Sequence, residues 1–357
     1  MPKLASMTPA RKPRLHLAAT PGGHLDLMIA LAPAFEGYDR TWITAEGPAA
    51  EALRGRGERV ICLPRFHGFS PKLATYAGKA AALVRRERPD FVVTSGSGSV
   101  APFCAIARAG GAKLMFLETM ARIENPSTGG RMLSKMAQRV VVQWPEMTEV
   151  YPGALVARPA LLEERAEGAR HDGEGTFVAL GTHIDPFERM LRTVADAVDA
   201  GVLPGPIVAQ TGVTQAEPRA DLRAEAWMGP DELQAAVESA RYVVCHSGSG
   251  LIARCLRAGR RPLVLPRLER FGEHVDDHQL QLVKKLGEMD CIVPLDGPIT
   301  AEHLARADRP LPAASASELP GMAELVAAEL ERLRPSRVVR RLPDPLVAAE
   351  EPERLSA

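Results

Sequence analysis

Paired cysteines are the first thing this sequence lacks. Its five cysteines, Cys62, Cys104, Cys245, Cys255 and Cys291, are odd in number and widely spaced, with no CxxC among them. That argues against a disulfide framework and a cysteine-built zinc site, and it suits a reducing cytoplasm. Long apolar runs are missing too. The charge-free stretch at 91–107 is crowded with Gly and Ser and falls short of the ~20 apolar residues a membrane-spanning helix needs. The amino terminus is cationic (Lys3, Arg11, Lys12, Arg14), but the apolar run at 15–19 is short and soon broken by Pro21-Gly22-Gly23, so no signal peptide is expected. Net charge is absent as well, because 44 Lys+Arg balance 44 Asp+Glu. The balance conceals a division: residues 1–150 hold 20 Lys+Arg against 12 Asp+Glu, and residues 151–357 hold 24 against 32. A uniformly basic nucleic-acid binder and an acidic disordered chain are both disfavoured, while a basic surface on the first half remains open.

What is present is alternation. With 357 residues, 46% of them apolar, the chain is long enough for two domains of roughly 150 residues. Short β-branched runs at 15–20, 41–44, 59–63, 91–94, 113–117 and 140–143, then at 176–180, 207–210, 242–245, 262–265 and 291–294, are separated by helical patterns at 25–34, 72–88, 131–137, 187–200, 230–240 and 251–258. Such order predicts an α/β protein with parallel sheets covered on both faces. The polar stretch 162–175 reads as a linker. The expected organisation is a flexible start (1–13), a first domain (14–161), that linker, a second domain (176–307), a helical region (308–334) and a disordered tail (335–357).

Four strand ends run into glycine-rich turns before a helix: Pro21-Gly22-Gly23-His24, Ser95 to Ser99 (SGSGS), Gly181-Thr182-His183, and His246 to Gly250 (HSGSG). At such turns backbone N–H groups and the positive helix end can face an anion, so two per half suggest a ligand with phosphate groups in each domain. Glycine that merely supplies a tight turn is the plain alternative. Residues 96–101 also satisfy GxGxxA, with Glu118 about 20 residues on, but the motif does not open the first sheet, which weakens a dinucleotide reading. The GxSxG elbow is absent around Ser97 and Ser247, which disfavours a serine nucleophile. In 273–279 (EHVDDHQ), His274 and His278 at i, i+4 would share a helix face, as metal ligands do, although no third ligand is evident.

Residues 20–24 (TPGGH), 118–130 (ETMARIENPSTGG), 178–187 (VALGTHIDPF) and 245–279 together resemble the two subunits of Alg14/Alg13-type glycosyltransferases, here fused with the Alg14-like half first, and the layout is similar to the MurG-like peptidoglycan enzymes. The resemblance spans about residues 14–296 and implies a GT-B fold, two Rossmann-like domains facing a cleft. It further implies inverting transfer from a UDP-sugar to a sugar on a polyprenyl diphosphate, in exopolysaccharide or glycolipid assembly, at the inner face of the cell membrane and without a metal or other cofactor. Unlike eukaryotic Alg14, the chain shows no amino-terminal membrane helix, so attachment would be peripheral. A UDP-GlcNAc 2-epimerase-like enzyme and a non-catalytic UDP-sugar-binding subunit are the alternatives, and a homo-oligomer is left open.

The resemblance and the chemistry assign expected roles. His24, with Asp26 as second candidate, is the base that deprotonates the acceptor. Gly22, Gly23, Gly96, Ser97, Gly98 and Ser99 would take the lipid diphosphate, aided by Arg122, while Glu118 would meet acceptor hydroxyls or orient Arg122, a plain ion pair being its alternative. Gly181, Thr182, His183, Ser247, Gly248 and Ser249 would hold the UDP phosphates together with His246. Thr211, Gly212 and Met228 are further donor-side contacts, with the uracil near 227–229. Arg267, Glu273, His274, Asp277, His278 and Gln279 would meet the donor sugar. Arg267 or Arg270 pairing with a uronate tilts the donor weakly toward UDP-glucuronate. Finally, Leu73, Tyr76, Ala80 and Leu83 share one face of a helix at 72–88, beside Lys72, Lys79 and Arg86 and after Phe66 and Phe69. That face suits an anionic membrane, unless it simply covers the core.

Overall fold

Strand segments such as Phe91–Gly96 (FVVTSG) are buried along their whole length, as strands of a parallel sheet covered on both faces must be. In the computed structural model, residues 11–64, 72–96, 99–163, 173–181, 183–274, 277–312 and 318–334 are described. The first sheet contains β1 (Arg14–Ala19), β2 (Asp39–Thr44), β3 (Val60–Cys62), β4 (Phe91–Gly96), β5 (Lys113–Leu117), β6 (Arg139–Val142) and β7 (Leu155–Val156). Their order is β3-β2-β1-β4-β5-β6-β7 and every pair is parallel. Its helices are α1 (Gly23–Ala30), α2 (Pro48–Gly55), α3 (Lys72–Glu87), α4 (Ala101–Ala109), α5 (Thr128–Met136) and α6 (Met147–Val150). The two-residue period sorts its core: Leu15, Leu17 and Ala19 join one apolar cluster with Met28 and Phe35, whereas Ala18 joins the other with Phe103 and Phe116.

The second sheet repeats the plan with β8 (Thr176–Ala179), β9 (Ile207–Gln210), β10 (Leu222–Glu225), β11 (Tyr242–Cys245), β12 (Leu263–Val264) and β13 (Val293–Pro294), in the order β10-β9-β8-β11-β12-β13 and again all parallel. Around it lie α7 (Glu188–Asp199), α8 (Pro230–Ser239), α9 (Ser249–Arg257), α10 (His278–Glu288) and α11 (Ala301–Ala307). The last helix, α12 (Met322–Leu333), returns to the first domain. Its Met322, Val326 and Leu330, at i, i+4, i+8, bury against the β1 side of the first core, and Arg139 donates to the buried Glu329 at 2.6 Å. In both sheets the strand order reverses beside the first strand, between β1 and β4 and between β8 and β11, and the crevice at such a reversal is where ligands bind.

The amphipathic helix α3 corrects one expectation. Tyr76, Ala80 and Leu83 are buried in the cluster that includes Phe103 and Cys104 of α4, and Leu73 is half-buried, so this apolar face covers the core instead of lipid. Lys79 and Arg86 do reach solvent; Phe66, Phe69 and the Lys72 side chain lie outside the described residues. No helix among the described residues is long and apolar enough to cross a membrane.

Candidate active site

Each reversal point carries a histidine seated on the neighbouring strand's turn. After β1, Gly22 adopts φ +101° and starts α1, which places His24 in the first helical turn. His24 Nδ1 lies 2.9 Å from the Ser95 carbonyl at the end of β4, and Ser95 Oγ donates back to the His24 carbonyl at 2.9 Å. A carbonyl can only accept, so Nδ1 carries the proton and Nε2 keeps its lone pair in the neutral ring. Burial lowers the His24 pKa and the Arg122 charge lowers it further, against the Ser95 carbonyl, which raises it. A neutral imidazole at physiological pH is the form a base requires.

After β11, His246 fills the gap between two glycines. Its Nδ1 is 3.2 Å from the Ala179 carbonyl at the end of β8, and a Cβ on Gly181 or Gly248 would come within 2.5 Å and 2.2 Å of its ring. Gly181 also needs φ +79°. Only glycine fits on either side of this ring. The His246 pKa falls to about 4, chiefly through burial and then through the Arg267 charge, so this ring too is neutral.

The two halves meet where α1 and α9 begin. A Cβ on Gly23 would lie 3.2 Å from Ser249 Oγ, and one on Gly250 would lie 2.8 Å from Asp26 Oδ2. Two helix N-termini, both capped by glycine (Gly22 and Gly248), therefore meet at one seam, and helix ends of this kind favour an anion. Beside the seam a cavity of about 320 Å³ is lined by Gly23, Asp26, Ser249, Gly250, Arg254 and Arg257 among others. Larger hollows lie at the foot of the first sheet and on the flank of the second, away from all four glycine turns. Asp26 is solvent-accessible, yet the crowding walls raise its pKa, opposed by Arg254. Ser247 Oγ is buried without a hydrogen-bond partner among the described residues, a hydroxyl donor that a bound phosphate would satisfy.

Several residues expected to touch the donor sugar instead bond to the backbone and side chains of their own loop and of the Gly181 turn. Arg267 is 1% exposed and its guanidinium donates to the carbonyls of Leu180 (2.8 Å), Asp185 (2.8 Å) and Glu273 (3.1 Å), lying over the Phe187 ring. It staples the Gly181 turn, and at this burial the guanidinium is committed to backbone carbonyls instead of a uronate. Glu273 is held by Arg189 through two bonds of 2.9 and 2.7 Å and accepts from Leu268 N, and Gln279 Oε1 accepts from Arg267 N at 2.9 Å. Met228 is buried, so only its backbone can face a ligand. Thr211 is buried as well, and its N–H and that of Gly212 are taken by Glu225 and Ala226.

Histidines cluster beside the Gly181 turn. His183 stacks on His274 at 4.6 Å and pairs with Asp185 at 3.2 Å, and His274 meets His278 edge to face at 4.7 Å. Their expected common helix face does not exist, because α10 begins only at His278. Among the described residues no group of three or more His, Cys, Asp or Glu is placed to share a metal ion. Asp277 is exposed and spends Oδ1 on Glu269 N. Thr182, Ser97 and Gly98 lie outside the described residues, while Gly96 closes β4 with φ +93° and Ser99 is half-buried before α4.

Glu118 is also corrected. It is 2% exposed and accepts from Tyr151 OH at 2.6 Å and Thr119 N at 2.9 Å, which directs its carboxylate into the protein instead of toward an acceptor hydroxyl. Gly130, at the start of α5, must lack a side chain because a Cβ there would lie 2.5 Å from Tyr151 OH and 2.8 Å from Glu118 Oε2. Burial raises the Glu118 pKa to about 7, against the Tyr151 bond. The folded state then holds the proton more tightly than the unfolded one, so this group's stabilisation is full below pH 4.5 and is lost as pH rises toward 7. Glu118→Gln is expected to flatten that part of the stability profile, as measured by chemical denaturation at several pH values.

Sequence reasoning missed Tyr151 and Arg189, and it gave Ser95 and Gly250 no role beyond membership of a glycine-rich turn. Only the fold brings them to the site, and only the short glycine turns before α1 and α9 hinted at the seam.

Residues 70–157 match the model described as oligosaccharide biosynthesis protein Alg14 like, and residues 218–295 match the glycosyltransferase family 28 C-terminal domain. Over 306 residues the chain is 26% identical to the UDP-N-acetylglucosamine--N-acetylmuramyl-(pentapeptide) pyrophosphoryl-undecaprenol N-acetylglucosamine transferase of Acidovorax sp. (strain JS42), covering 77% of this chain and 73% of that protein. The chain is a glycosyltransferase that joins an Alg14-like segment to a family 28 carboxy-terminal segment. The first half of this glycosyltransferase is also similar to the UDP-N-acetylglucosamine transferase subunit ALG14 of Mus musculus, 26% identical over 180 residues that cover 41% of this chain and 82% of that one. The crystal structure of Acinetobacter baumannii MurG matches it with a TM-score of 0.60 at 17% identity, over 90% of this chain and 99% of that chain. That likeness and the two sheets give the glycosyltransferase a GT-B fold.

Proposed function

We propose that this glycosyltransferase moves N-acetylglucosamine from UDP-N-acetylglucosamine to a saccharide on a polyprenyl diphosphate, with inversion at the anomeric carbon. The observation that carries the reading is the seam where α1, bearing His24, faces the amino terminus of α9. The acceptor hydroxyl attacks the anomeric carbon and gives its proton to His24 Nε2, and the bond to the β-phosphate breaks with its electron pair left on UDP. The N-terminus of α9, with Ser247 and Ser249, stabilises that growing charge. Because this stabilisation comes from N–H and hydroxyl donors, transfer is expected to persist at an undiminished rate in excess EDTA.

The donor assignment is supported by the relatives, whose names carry UDP-N-acetylglucosamine or N-acetylglucosamine transfer. A preference for UDP-glucuronate leaned on Arg267 or Arg270, and the committed guanidinium of Arg267 removes half of that support. Assembly of an exopolysaccharide or other glycolipid is the process that such an acceptor serves. Peripheral attachment through the cation-rich first half suits a lipid-linked substrate.

A screen of UDP-N-acetylglucosamine, UDP-glucuronate and UDP-galactose against short-chain polyprenyl-diphosphate saccharides, read by product mass, tests the reading. The expected product is heavier than the acceptor by one N-acetylhexosamine. A hexuronate or hexose increment would overturn the donor assignment, and UDP binding without any turnover would favour a binding subunit.

A further inference from the structure

Helix α10 touches both substrates' sides of the molecule at once. Its first turn carries His278 and Gln279, which belong to the donor loop. Two turns of its other surface reach the first domain: Gln281 Oε1 accepts from the backbone N–H groups of Ile123 (3.4 Å) and Glu124 (3.2 Å), and Lys285, one turn on, pairs with Glu146 at 2.5 Å. Lys285 Nζ also lies 5.7 Å from the Trp144 ring, whose Nε1 donates to the Met120 carbonyl at 2.7 Å. Both ends of the segment after β5, Met120 and Ile123–Glu124, are thus fixed with the help of one helix from the opposite domain. Between them stands Arg122, whose charge is felt at His24.

We propose that Gln281 and Lys285 are positioning residues that hold the acceptor-side segment 119–127 in register with the donor turn. The inference rests on the reading above, in which the first half binds the acceptor. Neither side chain touches a reacting atom; each acts through the backbone or through Glu146 and Trp144. Glu146 is half-buried, and Lys285 holds its carboxyl below the usual range although burial pulls the other way, as in a persistent ion pair. Because α10 begins with donor-loop residues and continues with these contacts, a shift of the donor loop is passed to the acceptor segment as a rigid movement of one helix.

The test is steady-state kinetics of the full chain with UDP-N-acetylglucosamine and a short-chain polyprenyl-diphosphate saccharide, on Gln281→Leu, Lys285→Glu, Glu146→Lys and the Lys285→Glu/Glu146→Lys double variant. Each single change is expected to raise the acceptor KM about ten-fold and leave the donor KM within about two-fold. The charge-swapped double is expected to recover most of the loss. In Gln281→Leu, hydrogen exchange at the Ile123 and Glu124 amides should quicken about ten-fold with Tm unchanged. Donor and acceptor KM rising together with a fall in Tm would mean simple domain packing and would overturn the inference, as would an unchanged acceptor KM in all variants. Wild-type protein that transfers to no acceptor would overturn the functional reading and this inference with it, whereas wild-type transfer with unaffected variants would overturn the inference alone.

Discussion

His24→Ala is expected to lower kcat by about 10²–10⁴-fold, the range for loss of a general base, with UDP affinity nearly unchanged. The residue stands on the acceptor side of the seam, and its partner atoms, the Ser95 carbonyl and hydroxyl, belong to the same domain. Donor contacts across the seam should therefore survive the change. The pH dependence follows from the sign of its shift. Burial and Arg122 together outweigh the Ser95 carbonyl, so the ring loses its proton below the ordinary 6.5. For the wild type, kcat should rise with pH through an apparent pKa below 6.5 and stay level above it, and the rise should vanish in the variant. Asp26 is the rival base: it lies against Gly250 at the seam, and burial raises its pKa. If His24→Ala turned over at the wild-type rate while Asp26→Asn did not, the assignment would pass to Asp26.

The second large effect concerns the glycines around His246. Gly248→Ala keeps an unstrained backbone but drives a methyl to 2.2 Å from His246 Nε2, and Gly181→Ala adds φ +79° to a 2.5 Å contact with the same ring. The ring is bonded to the Ala179 carbonyl, so it can yield only by breaking that bond or opening the turn. Overpacking of this kind costs about 1–3 kcal/mol, and the unfavourable φ at Gly181 adds about 1–3 kcal/mol. Calorimetric titration with UDP is expected to show weaker binding for Gly248→Ala by about 10–100-fold, and weaker still for Gly181→Ala. Gly57→Ala is the control for backbone strain alone, since Gly57 has φ +79° with open space around it, and its UDP affinity should equal the wild type.

Much of the fold was legible because its signals are local. All eleven anticipated strands occur, and the glycine turns fall at the carboxyl ends of β1, β4, β8 and β11, since a buried parallel strand followed by a tight turn leaves a mark within ten residues. Short edge strands such as β7 and β10 carried too little pattern: Leu222–Glu225 has an exposed Arg223 and an Ala in its middle. Side-chain direction was the harder quantity. Arg267, Glu273 and Gln279 have the polar groups a sugar site needs, and nothing along the chain distinguishes an arginine that grips a ligand from one that grips the carbonyls of Leu180 and Asp185. The same holds for α3, whose apolar stripe would read alike against lipid or against α4. His24 was reachable from its turn, but its tautomer depends on Ser95, 71 residues away.

The most direct test is proton NMR of the wild-type enzyme with UDP-N-acetylglucosamine, with and without a short-chain polyprenyl-diphosphate saccharide. The account predicts a β-linked N-acetylglucosaminyl product and released UDP when the acceptor is present, and an unaltered sugar nucleotide when it is absent. Epimerised sugar nucleotide without acceptor, or an α-linked product with it, would contradict inverting transfer at this seam.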